Sequence, residues 1–268
     1  LQNINNIDEI TFIFNDMKNN ILNIEENIIN LLKKQNSNSQ IITITNNKCS
    51  HCCDILKSFD LSFTEKQNLI TNIENIYFKD HKDINIYKDF IIKNNYNLFI
   101  DAGNIIFYQT GQFNYFSFKK IDVIYKELSK NYNVVVIIHK RHYINLKKID
   151  KDNKMNLMFK SWNIYETPFN LNDDWYFIYA SLLINNSYIV TNDKLRDHQF
   201  KISEKTNLNN TLSKLIDRRV IRYDFTNKKH TSNNLVLKFP NNYSTEIQQV
   251  NNWHFPIKDN KWLCYKQE

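Results

Sequence analysis

The sequence predicts an α/β fold: a doubly wound, mainly parallel sheet flanked by helices, inserted in a small discontinuous second domain. Three observations predict it. Short apolar runs at Tyr96 to Ile100, Val134 to Ile138 and Tyr188 to Val190 alternate with longer stretches of helical spacing, the pattern of buried parallel strands joined by crossover helices. Two β-prone runs, Val220 to Phe225 and Leu235 to Phe239, flank a polar loop and form an antiparallel hairpin. Cysteine and histidine cluster near both ends of the chain, outside the alternating region.

In chain order, Ile10, Phe14, Met17, Ile21, Ile24, Ile28 and Leu31 recur at three- and four-residue steps. This predicts one amphipathic helix over residues 8–34, with Asp8 as its N-cap. Residues 35–40 form a polar linker, and the β-branched run Ile41 to Thr45 a strand. Residues 64–93 predict two helices, Glu65 to Phe78 and Ile84 to Ile92. The strand ending at Asp101 runs into Ala102-Gly103-Asn104. With only two glycines in the chain, one placed here implies positive φ or close backbone approach. Phe118 to Lys130 and residues 154–162 are further expected helices. The domains expected are 1–34, a helical segment; 35–93 with 240–268, a discontinuous domain; and 94–239, the sheet.

The most informative stretch is Asn172 to His198. Asp173 and Asp174 stand before an aromatic-rich helix, and the strand Tyr188 to Val190 ends in Thr191-Asn192-Asp193. A polar helix carrying Asp197 and His198 follows. Ligands of open α/β sheets bind beyond the carboxyl ends of the strands. Asp101, Asp173, Asp174 and Asp193 therefore gather at one edge, where their hard oxygens suit Mg²⁺ or Mn²⁺. Helix capping is the bland alternative, but one cap needs one Asp, and capping leaves Asp193 unexplained. His139-Lys140-Arg141-His142 ends another strand at the same edge. Lys140, Arg141 and Arg196 are candidate phosphate contacts; a solvated loop is the alternative.

Cys49-x-x-Cys52 is half of a zinc site, and His254 with Cys264 supplies a second half. His51 and Cys53 compete as ligands, and free buried cysteines are the alternative reading. Four clustered cysteines do not make a secreted disulfide framework. The 268 residues, 42% hydrophobic, carry a net charge of +7, which allows an anionic partner without requiring one. No apolar run of about 18 residues is visible, so no membrane span is expected. Leu1 in place of Met leads to the expectation of further N-terminal sequence.

An acid after the first strand, and more acids later on a doubly wound sheet, is the pattern of PIN/NYN nucleases. The motifs resemble more closely those of protein-only RNase P (PRORP). They are Ile100-Asp101-Ala102-Gly103-Asn104, Phe116-Ser117-Phe118, Ile138-His139-Lys140, Asn172-Asp173-Asp174-Trp175-Tyr176, and Val190-Thr191-Asn192-Asp193 with Arg196-Asp197-His198. Pro240 with Tyr243-Ser244, Trp253-His254 and Trp262-Leu263-Cys264 complete the set. The family order Gly-Ala-Asn is here Ala102-Gly103-Asn104, and Cys53 stands where the family often has Gly.

The resemblance implies a Mg²⁺-dependent endoribonuclease that removes the 5′ leader of precursor tRNA and leaves a 5′-phosphate. Asp101, Asp173, Asp174 and Asp193 would be its catalytic metal ligands. Cys49, Cys52, His254 and Cys264 would hold a structural Zn²⁺. Asp197 and His198 would stand behind the ligands, or merely stabilise the start of their helix. Residues 1–34 would end a pentatricopeptide-repeat array or belong to the connecting domain. Another NYN-type endoribonuclease on structured RNA is the alternative, and a non-catalytic RNA-binding module the third reading. The expected chain is a monomer, with protein cofactors left open. Its expected compartment is an organelle, mitochondrion or plastid, with the nucleus second.

Overall fold

The computed structural model of the chain describes residues 7–20, 24–58, 60–79, 83–109, 111, 115–149, 159–205, 211–227 and 231–267. By its contacts the chain divides into two units, one made of Leu1–Phe59 and Asn241–Glu268, the other of Asp60–Pro240.

The first unit is an antiparallel sheet with helices against it. It contains α1 (Ile7–Asn20), α2 (Glu26–Gln35), β1 (Gln40–Thr45) and β2 (Lys48–Cys49) from the start of the chain. Near the end of the chain come β9 (Gln248–Gln249), β10 (Trp253–Pro256) and β11 (Lys261–Tyr265). The strand order is β2-β1-β11-β10-β9, so the two ends of the sequence pair directly, Ile41 opposite Leu263. The expected single helix over 8–34 is instead two. At Ile24 the backbone N–H donates to the Pro256 carbonyl at 3.3 Å, a sheet contact that takes the chain out of helical register. Asp8 lies within α1, not before it. Phe14 sets its edge or face against Trp253, Phe255 and Tyr265 at 5.2, 4.9 and 5.1 Å. α1 and α2 thus share one core with the C-terminal strands.

The second unit is a three-layer α/β/α sandwich. It begins with α3 (Phe63–Tyr77) and α4 (Asp83–Lys93). Ser62 caps α3: its hydroxyl accepts from the Glu65 N–H, and Glu65 accepts from the Ser62 N–H, the reciprocal pair of a capping box. Then come β3 (Leu98–Asp101), α5 (Ala102–Phe107), α6 (Tyr115–Leu128), β4 (Val134–His139), α7 (Lys140–Ile149) and β5 (Ile164–Thr167). After these follow α8 (Asp174–Leu183), β6 (Tyr188–Val190), α9 (Arg196–Lys205), α10 (Thr211–Arg219), β7 (Val220–Phe225) and β8 (Leu235–Lys238). The six strands run β5-β4-β3-β6-β7-β8. All neighbours are parallel except β7 and β8, which form the expected hairpin. Of the helix expected over 154–162, residues 154–158 lie outside the described residues, and 159–161 are helical.

Side chains alternate across the strands, as a period of two demands. Phe99, Val135, Ile137 and Ile189 face α3, α4, α8 and α10. Leu98, Ile100, Val134, Val136 and Val190 face α5 and α6. Every residue from Trp175 to Leu182 is buried, because α8 lies in the first layer with α3 and α4. This corrects the expected grouping of residues 60–93 with the discontinuous domain. The buried faces of α3 and α4 (Leu69, Ile73, Tyr87 and Ile91) are spent on α8 and the sheet.

Ile137 is fully buried at the middle of β4. Ile137→Ala is expected to cost about 2–5 kcal/mol, the usual range for a large-to-small core change. A urea titration followed by far-UV circular dichroism checks it; an unchanged midpoint would place Ile137 outside the core.

Candidate functional site

The parallel strands end together. Asp101 is the last residue of β3 and is buried. Its Oδ2 accepts from the Thr191 hydroxyl at 2.7 Å, and its Oδ1 from the Asn104 N–H at 2.9 Å. Asp101 thus N-caps α5, so Ala102-Gly103-Asn104 is the first turn of a helix rather than a loop. Gly103 has no positive φ; the positive value belongs to Gly111. What Gly103 supplies is close approach. A Cβ there would stand 3.4 Å from Asp173 Oδ2 and 3.5 Å from Asp101 Oδ1.

Asp173 precedes α8 but makes no side-chain cap hydrogen bond. Asn172 does part of that work, its Oδ1 accepting from the Asp174 N–H at 2.8 Å. The capping account of the acidic pair therefore fails for Asp173. Asp193 follows β6, and its exposed side chain accepts from the Leu195 N–H at 2.8 Å.

Three of the carboxylates hold their protons more tightly than usual. Burial, then the charges of Asp173 and Asp193, push Asp101 up to about 7. Burial, then Asp101, Asp173 and Asp193, push Asp174 up to about 8. Burial also raises Asp173, against the pull of His139 and Arg141. Desolvation and like charge both favour the proton here; a divalent cation would reverse both. The acids are not drawn as tight as a closed ligand shell: among the described residues, only the Cys/His group below brings three or more donors within 4.8 Å of one another.

Hydrogen bonds that bypass the carboxylates position this edge. The Asn104 Oδ1 accepts from the Asn192 N–H at 2.9 Å and the Tyr223 hydroxyl at 2.6 Å. Arg222 donates to the backbone carbonyls of Thr191 at 2.9 Å and Asp193 at 2.6 Å. Arg222 and Tyr223 escaped the sequence reading. Only the Asn after the first acid and the Thr-Asn-Asp run carried a signal; nothing marked Arg222 or Tyr223 in a strand of ordinary composition.

His198 is buried at the start of α9, its ring edge-on to Trp175 at 4.6 Å. Its Nε2 lies 3.4 Å from Asp174 Oδ2 and 3.3 Å from Asn172 Nδ2. Burial first, then Lys201, hold it down to about 4, so the ring is neutral and braces Asp174 without pairing its charge. A cleft of about 450 Å³ opens here, lined by Asp174, Asp193, Lys194, Arg196, Asp197 and Lys201 among others. Asp197 and Arg196 are exposed on its wall, and Lys140 and Arg141 are exposed at the start of α7.

In the first unit, Cys49, Cys52, His254 and Cys264 place their ligand atoms within 4.8 Å of one another. The β10–β11 register sets His254 directly opposite Cys264. Asp54 ties the two halves, accepting from the Asn251 side chain at 2.7 Å and the Asn252 N–H at 2.9 Å. The N–H groups of His51 and Cys52 both point at Cys49 Sγ, at 3.4 Å. Hydrogen bonding from Cys264 brings Cys49 down to about 3, while burial raises Cys52 to about 11; one thiol ionises ahead of its neighbours. Three thiols and one imidazole, closely grouped and mostly buried, are a donor set suited to structural zinc. The competitors do not take part: His51 Nε2 faces the Asn38 carbonyl at 2.9 Å, and Cys53 is exposed at φ 67°.

Fold and site together define a two-unit α/β protein, with an acidic centre at a parallel sheet edge and a Cys₃His clip closing an antiparallel sheet. A family profile for protein-only RNase P matches residues 44–267. The chain belongs to the protein-only RNase P family. It is similar to proteinaceous RNase P 2 of Arabidopsis thaliana, 26% identical over 249 residues, covering 82% of this chain and 45% of the relative. Proteinaceous RNase P 3 of the same plant is 25% identical over 248 residues, covering 82% of this chain and 41% of the relative. The chain thus spans less than half the length of these curated relatives. The crystal structure of nuclear proteinaceous RNase P 2 from A. thaliana superposes with a TM-score of 0.70 at 20% identity, covering 97% of this chain and 64% of that one.

Each of the two centres can be tested. Metal analysis is expected to find about one tightly held zinc per chain, and none in a Cys49→Ser, Cys52→Ser variant; full retention by the variant would remove the clip. For the acids, folding raises the carboxyl pKa, so the folded chain holds protons that the unfolded chain releases. The stability from Asp101 and Asp174 is therefore greatest below about pH 4. It is lost as pH rises toward 7 and 8. Melting of the metal-free chain is expected to fall over that window, Mg²⁺ or Mn²⁺ to restore it at pH 8, and Asp174→Asn to flatten the profile. A wild-type profile that rises with pH, with no response to either cation, would contradict the assignment.

Proposed function

We propose that this chain carries the hydrolytic centre of a Mg²⁺- or Mn²⁺-dependent endoribonuclease that removes the 5′ leader of precursor tRNA. The observation that carries the reading is the set of mutually repelling carboxylates at the carboxyl edge of the sheet, inside a family match that spans all of them. Asp101, Asp173, Asp174 and Asp193 are the residues that would hold the cation. When bound, the cation favours ionisation of water and offsets negative charge building on the phosphate. Water adds to phosphorus and the bond to the leader's O3′ breaks, leaving a 5′-phosphate on the tRNA and a 3′-hydroxyl on the leader.

The protein's own part is placement. Thr191 and the Asn104 N–H fix the rotamer of Asp101. His198 and Asn172 brace Asp174. Arg222 holds the loop that carries Asp193. Lys194, Arg196 and Lys201 on the cleft wall would receive the flanking phosphates, which the carboxylates would otherwise repel.

Precursor tRNA with mapped ends is the test substrate. Cleavage at the leader junction is expected in Mg²⁺, with Asp174→Asn slower by about two orders of magnitude or more. Cleavage elsewhere in the RNA would favour an endonuclease of another specificity. A parental rate for Asp174→Asn would unseat the active-site assignment.

A further inference from the structure

Phe169 sits in the connection between β5 and α8, four residues before Asp173, and is 54% exposed. A single exposed phenylalanine is ordinary on a protein surface. What sets this one apart is its company. The Lys140 ammonium stands over its ring, 5.7 Å from the centroid. The His139 ring meets it at 6.2 Å and 73°, and Arg141 is exposed beside them on α7. Farther along, His139 and His142 lie 5.9 Å apart, and His142 meets Phe107 at 5.3 Å. This cationic and aromatic strip lies within electrostatic reach of the carboxylates: Phe169 is four residues before Asp173, and His139 and Arg141 both act on Asp173. The cleft with Lys194, Arg196 and Lys201 borders Asp174 and Asp193 instead.

We propose that Phe169, with the Lys140 ammonium over its ring and Arg141 next to Lys140 in the chain, is a stacking platform for the base of an unpaired leader nucleotide beside the scissile phosphate. The inference rests on the RNA-cleaving reading above and names a contact that this reading does not contain. An aromatic face with cations beside it is the combination that binds single-stranded nucleic acid: the ring takes the base and the cations take its phosphate. A paired base is already stacked in its helix and has no face to offer. The platform therefore selects the single-stranded side of the cut. An acidic partner protein would use the cations and leave the ring idle. With cations on both flanks of the carboxylates, an RNA strand crosses them from the cleft to the platform.

The experiment is a cycle that removes the ring and the base separately. Precursor tRNA carries either a normal nucleotide or an abasic one immediately upstream of the cut, and is cleaved by wild type and by Phe169→Ala. The expected kcat/KM falls about ten-fold when either ring or base is removed, within the range for one base–aromatic stack. It falls little further when both are removed. Phe169→Trp is expected to retain activity, with emission quenched, relative to wild type, by a six-nucleotide single-stranded RNA in Ca²⁺. Circular dichroism establishes that both variants fold. Equal rates for Phe169→Ala and wild type, or multiplying losses, would overturn the platform while leaving the cleavage reading intact. If no leader is cut by wild type, the cleavage reading fails, and the emission of the Phe169→Trp variant alone decides whether the ring position binds RNA. No quenching in that case removes the platform too.

Discussion

The constraint on which the second unit turns is electrostatic: acidic side chains held near one another, partly out of water, at the one edge where all the parallel strands stop. Isolated carboxylates in such a place would take up protons, and two of them are pushed to about 7 and 8. The sheet tolerates this because the cost is spread. Asp101 is hydrogen-bonded at both oxygens, Asp174 has Asn172 and His198 beside it, and Asp193 remains in solvent. Among the described residues, no salt bridge joins a lysine or arginine to any of the four carboxylates. That is the arrangement expected of groups kept ready for a mobile cation, since an internal guanidinium would satisfy them permanently.

The first unit solves a different problem with related means. Its sheet is built from two ends of the sequence, and a small antiparallel sheet with a modest core is marginal by itself. Three devices close it: the aromatic contacts of Phe14, the Asp54 bridge to Asn251 and Asn252, and the Cys₃His group. The last of these can bind a metal. A metal bound there ties Cys52 to His254, 202 positions apart, and its binding free energy becomes folding free energy.

The central alternation of strands and helices was legible because buried parallel strands are continuous apolar runs, and because crossover helices repeat at 3.6 residues per turn. Both signals survive a composition rich in Asn, Ile and Lys. The Cys and Asp positions were legible because few structural roles require those residue types at those spacings. The fate of residues 60–93 was not, since an apolar helix face does not say which neighbour it covers. Nor was the break between α1 and α2, where a single backbone hydrogen bond to Pro256 overrides an unbroken periodicity. Gly103 shows a subtler failure. Its scarcity value was real, but it serves nearness to two carboxylates and not a left-handed turn. Sequence rarity says that a position is demanding without saying what it demands.

The supports of the acidic edge belong to the same class of hidden information. Arg222 and Tyr223 lie on β7, beyond β6 and far in sequence from Asp101, yet they clamp the first turn of α5, which Asp101 caps, and the loop that bears Asp193, through Asn104, Asn192 and the Thr191 carbonyl. The clamp uses a cation on backbone carbonyls and neutral amides on each other, and spends no positive charge on a carboxylate. It can therefore be rigid while leaving the carboxylate oxygens without a lysine or arginine in contact, among the described residues. An ammonium or guanidinium in direct contact with the acids would give equal rigidity at the cost of competing with a divalent ion for the same oxygens. The guanidinium of Arg222 is spent on backbone carbonyls, so a chain with net charge +7 keeps its acidic side chains open to a cation.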